Sequence, residues 1–283
     1  MPTTLTVVTP SYNQARYLGE TLRSVISQRD RVHEYFVLDG GSTDGSRQLI
    51  ERYADHIDFW VSDKDKGQSD AIHRGFARAT GDVLCWLNSD DVFLPGVLRT
   101  VLDAFDRHPE WDVLTAYHLQ HDADGRVLKA FRIPRDGDDV ARWGVVHVCQ
   151  QTCFFRRRVY EAVGGLNLDL HCVMDTDLWL RMFRHGTTWG HVPQYLAAFR
   201  QHAAAKNSSW LTKYKEEYQY VFRTYPEYFA PTLKHKLGPN LYRLSQIVSG
   251  RQVLATLDTR RMRGRKLTDV FGDWVVPEVA GVS

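Results

Sequence analysis

The chain has 283 residues, of which 43% are apolar and 25% are charged. Lys and Arg total 36 against 34 Asp and Glu, a net charge of +2. These values exclude a wholly disordered chain and leave no global basic field for nucleic acid, so no nucleic-acid partner is expected.

In chain order, Thr4-Leu5-Thr6-Val7-Val8 is short, β-branched and stopped by Pro10, which predicts a buried strand. Leu18, Leu22, Val25 and Ile26 follow at helical spacing. Tyr35-Phe36-Val37-Leu38 is a second strand, ended by Asp39-Gly40-Gly41, with Ser42, Thr43 and Asp44 offering caps to a helix carrying Leu49, Ile50 and Tyr53. Phe59-Trp60-Val61 is a third strand, and Ala71, Ile72, Gly75, Phe76 and Ala79 mark the next helix. Val83–Leu87 is a fourth strand, followed by a helix through Leu98, Val101, Leu102 and Phe105. This alternation of continuous apolar strands with helices predicts an α/β fold with a mainly parallel, Rossmann-like sheet covered on both faces.

After about residue 110 the pattern changes. Val113–Leu119 and Val127–Ile133 flank Asp122-Ala123-Asp124-Gly125, a hairpin signal that predicts a smaller antiparallel portion. Residues 135–143 read as a polar loop, Thr152–Phe155 as a strand and Asp177–Phe183 as a helix. A polar helix runs from Ser208 to Tyr225, and the tail beyond Lys234 is partly helical, then basic. Cys85, Cys149, Cys153 and Cys172 are scattered without a CxxC pair, as expected for reduced thiols. No run of about 18 apolar residues predicts a transmembrane helix, and Met1–Leu5 lacks the features of a signal peptide. The resulting expectation is a cytoplasmic protein.

The predicted strand ends carry polar groups in a consistent way. The first ends in Thr9-Pro10-Ser11-Tyr12-Asn13, the second in Asp39, the third before Asp63–Asp70 and the fourth in Asn88-Ser89-Asp90-Asp91. All four ends fall on one rim of a parallel sheet, where ligands bind. Carboxylates gathered there need a cation or hydrogen-bond donors to offset their repulsion. One Asp at a strand end is ordinarily a helix cap; four successive polar ends point to a site.

Five strings carry a more specific resemblance: Thr9–Asn13, Leu38–Gly45, Asp65–Ile72, Ala79–Asp82 and Leu87–Asp91, in this order. They resemble the nucleotide-sugar half of family-2 glycosyltransferases. Val163–Leu166 followed by Met174–Arg181 resembles the acceptor half. The resemblance covers roughly residues 4–205 and implies a GT-A fold with a nucleotide-sugar donor, usually a divalent metal, and inversion at the anomeric carbon. It divides the chain into a GT-A domain over 1–205, with a nucleotide-sugar half (1–110) and an acceptor half (111–205), and a helical C-terminal extension over 206–283.

The same resemblance distributes roles. Asp39 stands where the family reads the base, since a carboxylate accepts from the N–H groups of uracil, thymine or guanine. Thr9, Pro10 and Tyr12 wall the base, Tyr12 by stacking, and Asp65, Asp70 and Ser89 lie near the nucleoside and donor sugar. Asn88-Ser89-Asp90 takes the place of the DxD motif, with Asp90 the direct ligand of Mg²⁺ or Mn²⁺. Asn88 replaces the first Asp of the strict motif and loses its charge. Asp91 contacts a metal-bound water or a sugar hydroxyl. Asp175 aligns with the base that deprotonates the acceptor, although Met174 stands where the family often has Glu. Asp177 is a cap or a supporting group. In Arg200-Gln201-His202 with Lys206, His202 completes the metal shell while Arg200 or Lys206 pairs with phosphate. Gln150 and Gln151 face the acceptor, and Trp179 reads as core.

A Gln-x-x-Arg-Trp motif of processive synthases is absent, which favours addition of one sugar to a glycan or lipid-linked acceptor in cell-surface or extracellular polysaccharide synthesis. Arg260, Arg261, Arg263, Arg265 and Lys266 form either a solvated helix end or a contact with anionic lipid at the inner face of the membrane. Two other readings stay open: a catalytically silent sugar-nucleotide-binding scaffold on the same fold, and another nucleotide-handling enzyme such as a nucleotidyltransferase.

Overall fold

The computed structural model describes residues 2–133, 146, 148–202, 210–229 and 233–274. Lys206 and the polar segment 135–143 lie outside the described residues. Strands β1 (Leu5–Ser11), β2 (Glu34–Asp39), β3 (Phe59–Ser62) and β4 (Val83–Trp86) alternate with helices α1 (Ala15–Ile26), α2 (Ser46–Arg52) and α3 (Gln68–Arg78). The four strands pair in parallel in the order β3-β2-β1-β4. β1 is buried along its whole length because helices cover both faces. Val7 packs with Leu18, Leu22 and Val25 of α1; Val8, pointing the other way, packs with Ala71, Ile72 and Phe76 of α3. Gly75 lets α3 lie close on β1, since a Cβ there would stand 2.7 Å from the Val8 side chain.

Beyond β4 the sheet becomes mixed. The elements are β5 (Val92–Phe93), α4 (Val97–Arg107), β6 (Val113–His121), β7 (Val127–Phe131), β8 (Phe154–Arg156) and β9 (Trp189–Arg200). β8 lies antiparallel between β4 and β6, and β9 runs parallel to β6 and antiparallel to β5. The Asp122–Gly125 turn joins β6 to its antiparallel partner β7, as its sequence predicted. The strand expected from Thr152 begins at Phe154, because Gln150–Thr152 close a tight turn first. β9 had no sequence signal. Exposed Pro193 and Gln194 interrupt its apolar run where the pairing with β6 shifts register.

The remaining helices are α5 (Arg157–Ala162), α6 (Met174–His185), α7 (Leu211–Thr224), α8 (Pro226–Phe229), α9 (Leu233–Val248), α10 (Arg251–Met262) and α11 (Leu267–Phe271). α6 starts three residues before Asp177, so Asp175 lies inside its first turn. Trp179 is core: it is buried and stacks on Trp86 at 5.7 Å. The C-terminal residues return to the sheet. Asp258 pairs with Arg132 at 2.6 Å, the Thr259 hydroxyl accepts the Ala130 N–H at 3.0 Å, and Met262, Leu267 and Trp274 join the core around β1. No helix among the described residues is long and apolar enough to cross a membrane.

Candidate active site

β1, β2 and β3 end level with one another, Ser11 beside Asp39 and Asp39 beside Ser62. Asp39 is 1% exposed. Its Oδ2 accepts the Ser42 N–H at 2.9 Å and the Ser62 hydroxyl at 2.7 Å, and its Oδ1 accepts the Ser42 hydroxyl. A carboxylate offers about four lone-pair positions, so one acceptor direction remains for a ligand N–H. Thr9 and Pro10, expected to wall the base, are buried, and the Thr9 hydroxyl is bonded to that of Tyr35 at 3.1 Å. Tyr12, 63% exposed, is the ring of this group that is open to stack on a base.

The loops behind these strands are tied together. Asn13 adopts a left-handed φ of 53°, which Asn tolerates better than most residues. Its N–H donates to the Ser42 hydroxyl at 2.7 Å and its side-chain oxygen accepts the Thr43 N–H at 3.0 Å. Asp65 folds over Gly40, where a Cβ would stand 2.9 Å from its carboxylate, and accepts the Gly67 N–H at 2.8 Å. Asp70, in the first turn of α3, accepts the Lys66 N–H at 3.3 Å.

After β4, Asn88 explains why the acidic motif departs from its strict form. Its amide nitrogen donates to Asp91 Oδ2 and to Gln150 Oε1, both at 3.2 Å, and its oxygen accepts from Gln68 Nε2 at 2.6 Å. An Asp at 88 has no donor for these acceptors. Asp91, expected near a sugar hydroxyl or a metal-bound water, is buried instead. Its Oδ1 takes the Arg200 N–H at 2.9 Å and its Oδ2 takes Gln151 Nε2 at 2.6 Å. Burial, and next the charge of Asp90, push its carboxyl up to about 8. Gln150 and Gln151 are likewise turned into this network, Gln150 donating to the Trp86 carbonyl at 2.6 Å. They tie the two halves together where an acceptor contact was expected. Ser89 is buried beside them.

Asp90 faces a different partner. Its Oδ2 lies 3.0 Å from His202 Nε2. The His202 ring packs on Tyr17, with centroids 4.7 Å apart. Arg200, expected to reach phosphate, is buried. Its guanidinium donates to the carbonyl of Asp90 at 3.0 Å and that of Ala123 at 3.0 Å, pairs with Glu20 and lies 4.7 Å over the Tyr17 ring. With its donors engaged in this way, it braces the loop that carries Asp90. Among the described residues no group of three or more His, Cys, Asp or Glu could hold a metal ion.

On the acceptor side, Asp175 is half-buried and accepts the Thr176 N–H at 2.6 Å. Asp177 is sequestered: its Oδ1 accepts the Tyr225 hydroxyl at 2.6 Å and its Oδ2 accepts Arg181 Nε at 3.0 Å. Met174, where the family often has Glu, is buried and receives the Ser69 hydroxyl on its sulfur. Ser69 also donates to the Leu170 carbonyl, so an apolar side chain here closes α3 against the start of α6.

Sequence reasoning missed several residues. Glu217 of α7 is buried, and its carboxylate collects the N–H groups of His171, Cys172 and Val173 at 2.7–3.1 Å, fixing the chain into α6. Its signal was an acid on the stripe made by Tyr214, Tyr218, Val221 and Tyr225 at helical spacing. Tyr214 lies near Asp175; burial, Tyr218 and then the Asp175 charge hold its phenol well above the ordinary value. Gln68 and Tyr17 also belong to the framework.

The known proteins similar to this chain agree with its architecture. The glycosyl transferase family 2 profile matches residues 6–164. An uncharacterised glycosyltransferase of a Nostoc species is 36% identical over 125 residues, 43% of this chain. The chain spans 38% of that relative's length. The putative glycosyltransferase EpsE of Bacillus subtilis is 26% identical over 211 residues, 71% of this chain and 74% of EpsE. Among solved structures, S. aureus TarS 1–349 in complex with UDP-GlcNAc aligns with a TM-score of 0.58 at 17% identity, covering 73% of this chain and 61% of that one. The mannosyltransferase PcManGT of Pyrobaculum calidifontis, in complex with GDP-Man and Mn²⁺, gives 0.57 at 19% identity over 87% and 70% of the two chains. The curled α/β sheet is thus the GT-A fold, and with more than half of its length matched the chain belongs to glycosyl transferase family 2.

Proposed function

We propose that the protein moves one sugar from a nucleotide-sugar, a UDP-sugar first, to a hydroxyl of a glycan or lipid-linked acceptor in cell-surface or extracellular polysaccharide synthesis. The observation that carries this reading is the 3.0 Å approach of His202 Nε2 to Asp90 Oδ2. It brings a residue from beyond β9 to the end of β4, on the rim that also holds Asp39. A carboxylate oxygen beside an imidazole nitrogen suits Mn²⁺ or Mg²⁺, whose other ligands are diphosphate oxygens and water. Asp90 and His202 would hold the ion. When bound, it supplies positive charge that offsets the charge developing on the departing diphosphate.

The protein's own groups supply the rest. Asp39 accepts the base N–H in its one open direction, and Tyr12 stacks on the base. Asp65 and Asp70 border the donor sugar. The acceptor hydroxyl gives its proton to Asp175 as its oxygen attacks the anomeric carbon from the side opposite the diphosphate. One base on that side suffices for a single displacement, so the anomeric configuration inverts.

Thermal-shift and calorimetric titration with UDP, GDP and dTDP, each with and without Mn²⁺, tests this reading, because a ligand that binds only the native state raises its stability. UDP is expected to stabilise the protein together with Mn²⁺, and Mn²⁺ alone to bind weakly, since the chain offers few ligands of its own. Tight Mn²⁺ binding to the nucleotide-free protein, unchanged in Asp90→Ala, would overturn the metal assignment. Stabilisation by nucleotide without any sugar transfer would favour the silent scaffold.

A further inference from the structure

We propose that α9 and α10 together form a peripheral anchor that seats an apolar stripe and its flanking arginines on an anionic lipid surface. Among the described residues, eight of the fourteen exposed large apolar side chains lie between Leu237 and Leu257. In α9 the residues Leu237, Leu241, Leu244 and Val248 recur every three to four positions and form one narrow stripe. Buried Gln246 sits on the opposite side of the helix, so the stripe faces away from the protein. Val248 is 80% exposed and Leu244 55%. In α10 the side facing the protein holds Thr259 against β7 and Met262 in the core. The other side carries Val253, Leu254 and Leu257 and is continued by exposed Arg260 and Arg261. Exposed leucines continued by exposed arginines suit a surface that is apolar below and anionic at its rim.

Charge decides the occupant. Residues 233–266 hold nine of the 36 basic residues and one of the 34 acidic residues, a net +8 against −6 for the rest of the chain. The single acid, Asp258, is taken by Arg132 and Tyr195. Among the described residues, no ion pair engages Arg243, Arg251, Arg260, Arg261, Arg263 or Arg265. A second copy packed on this face in two-fold fashion would set +8 against +8, which disfavours a dimer here. An anionic bilayer takes both the leucines and the arginines.

The anchor is joined to the candidate site by a short route. The Arg200 side chain that braces Asp90 donates to the Asp122 and Ala123 carbonyls of the β6–β7 turn. Arg126, at the end of the same turn, donates to the Gly264 carbonyl at 3.0 Å and pairs as an isolated bridge with Lys266. A surface held by α10 would therefore hold the rim in a fixed setting relative to a lipid-carried acceptor. The inference rests on the transferase reading only for that use. Its test contains no sugar nucleotide, so the failure of one is distinguishable from the failure of the other.

The test is co-sedimentation of the full chain with vesicles of phosphatidylcholine alone and of phosphatidylcholine mixed with phosphatidylglycerol, over a range of salt. Binding is expected only to the anionic vesicles and to fall steeply as salt rises. Leu244→Glu/Val248→Glu and Arg260→Gln/Arg261→Gln should each weaken it by about tenfold or more. Their melting temperatures should stay at the wild-type value, because all four side chains are exposed. Equal binding to both vesicle types, or retained binding by both double variants, would overturn the proposal. So would no binding to either vesicle together with a dimer that Leu244→Glu/Val248→Glu dissociates, which would assign the face to a second copy.

Discussion

The donor rim and the acceptor wall are held in different ways. On the donor rim each polar side chain is fixed by its own loop or by the next one. Asp39 is bonded by Ser42, three residues on, and Asp65 by Gly67, two residues on. On the acceptor wall and in the metal loop, Asp175 and Asp177 keep near neighbours in Thr176 and Arg181, but other partners are remote. Met174 meets Ser69 across 105 residues, Asp91 meets Arg200 across 109, and Asp90 meets His202 across 112. The donor rim thus draws on bonds within a loop or between adjacent loops, whereas these contacts of the acceptor wall and metal loop join distant parts of the chain. Local bonds make the first tolerant of distant change; the second depends on contacts that a single substitution far along the chain can break.

The largest expected effect separates the two regions by their chemistry. Asp175→Asn keeps the shape of the side chain but cannot take a proton at neutral pH. Turnover should fall by about 10²–10⁴-fold, the usual contribution of a general base. UDP affinity should stay near the wild-type value, because the proposed role sets Asp175 against the acceptor and not the diphosphate. Asp90→Asn should lower turnover and Mn²⁺-dependent UDP affinity together. Near-normal transfer by Asp175→Asn, with loss in a neighbouring variant, would place the base elsewhere on the wall.

Next in size is a donor-side effect. Tyr12→Ala should weaken nucleotide binding by the worth of one base–aromatic stack, about 1–3 kcal/mol. Because the ring acts on ground state and transition state alike, KM should rise while kcat holds. Tyr12→Phe should behave as wild type, since stacking does not need the hydroxyl. A loss in kcat would mean that the ring sits nearer the reacting sugar than its place just beyond β1 implies.

The same contrast explains what could be read from the sequence. The parallel strands, their polar ends and the Asp122–Gly125 hairpin were legible because period, turn residues and caps are local properties. The motif order pointed to Asp39 at the end of β2, Asp90 in the turn between β4 and β5 and Asp175 in the first turn of α6, whose roles are the proposal made above. What failed was the direction of side chains whose partners are far away in sequence. Arg200, with Lys206 as the alternative, was read as a phosphate partner because its segment resembles a family loop that closes over the diphosphate; its burial under five other groups depends on β9 lying beside β6, and β9 gave no periodic signal. Gln150 and Gln151 were read as facing the acceptor from their place before a strand, and Asp91 as facing the substrate from its place in the motif; all three bond within the protein instead. Glu217 was passed over because a Glu in a polar helix looks solvated until the helix is docked, even where it lies on an aromatic stripe.

A smaller effect concerns acid stability at the end of β6. Burial, and then the nearby Arg200 charge, lower the His121 imidazole to about 3. In the unfolded chain the ring titrates near 6.5. Between about 6.5 and about 3 the unfolded state binds the extra proton, so stability is lost as pH falls through that window. Each pH unit below 6.5 should cost up to about 1.4 kcal/mol. His121→Leu should flatten this part of the stability curve, measured by urea unfolding at a series of pH values. An unchanged slope would assign the acid limb to the carboxylates of the donor rim.

The smallest expected effect tests the comparison most directly. Glu217 touches no reacting group, yet its carboxylate collects three N–H groups of the segment leading into α6. Glu217→Gln retains one acceptor oxygen and turns an N–H₂ toward donors. The His171–Val173 segment should then relax, and Asp175 at the start of α6 should move with it. One hydrogen bond is worth about 1 kcal/mol net, so kcat should fall by about fivefold. A purely structural role would lower the melting temperature and leave the kinetics of the folded fraction unchanged. A positioning role should lower kcat in the folded fraction, leave the UDP dissociation constant unchanged and be relieved by Glu217→Asp only if the shorter side chain still reaches the N–H groups. Equal loss in UDP affinity and turnover would mean that the acceptor wall and the donor rim are one cooperative unit, and that their separate modes of support do not divide the site.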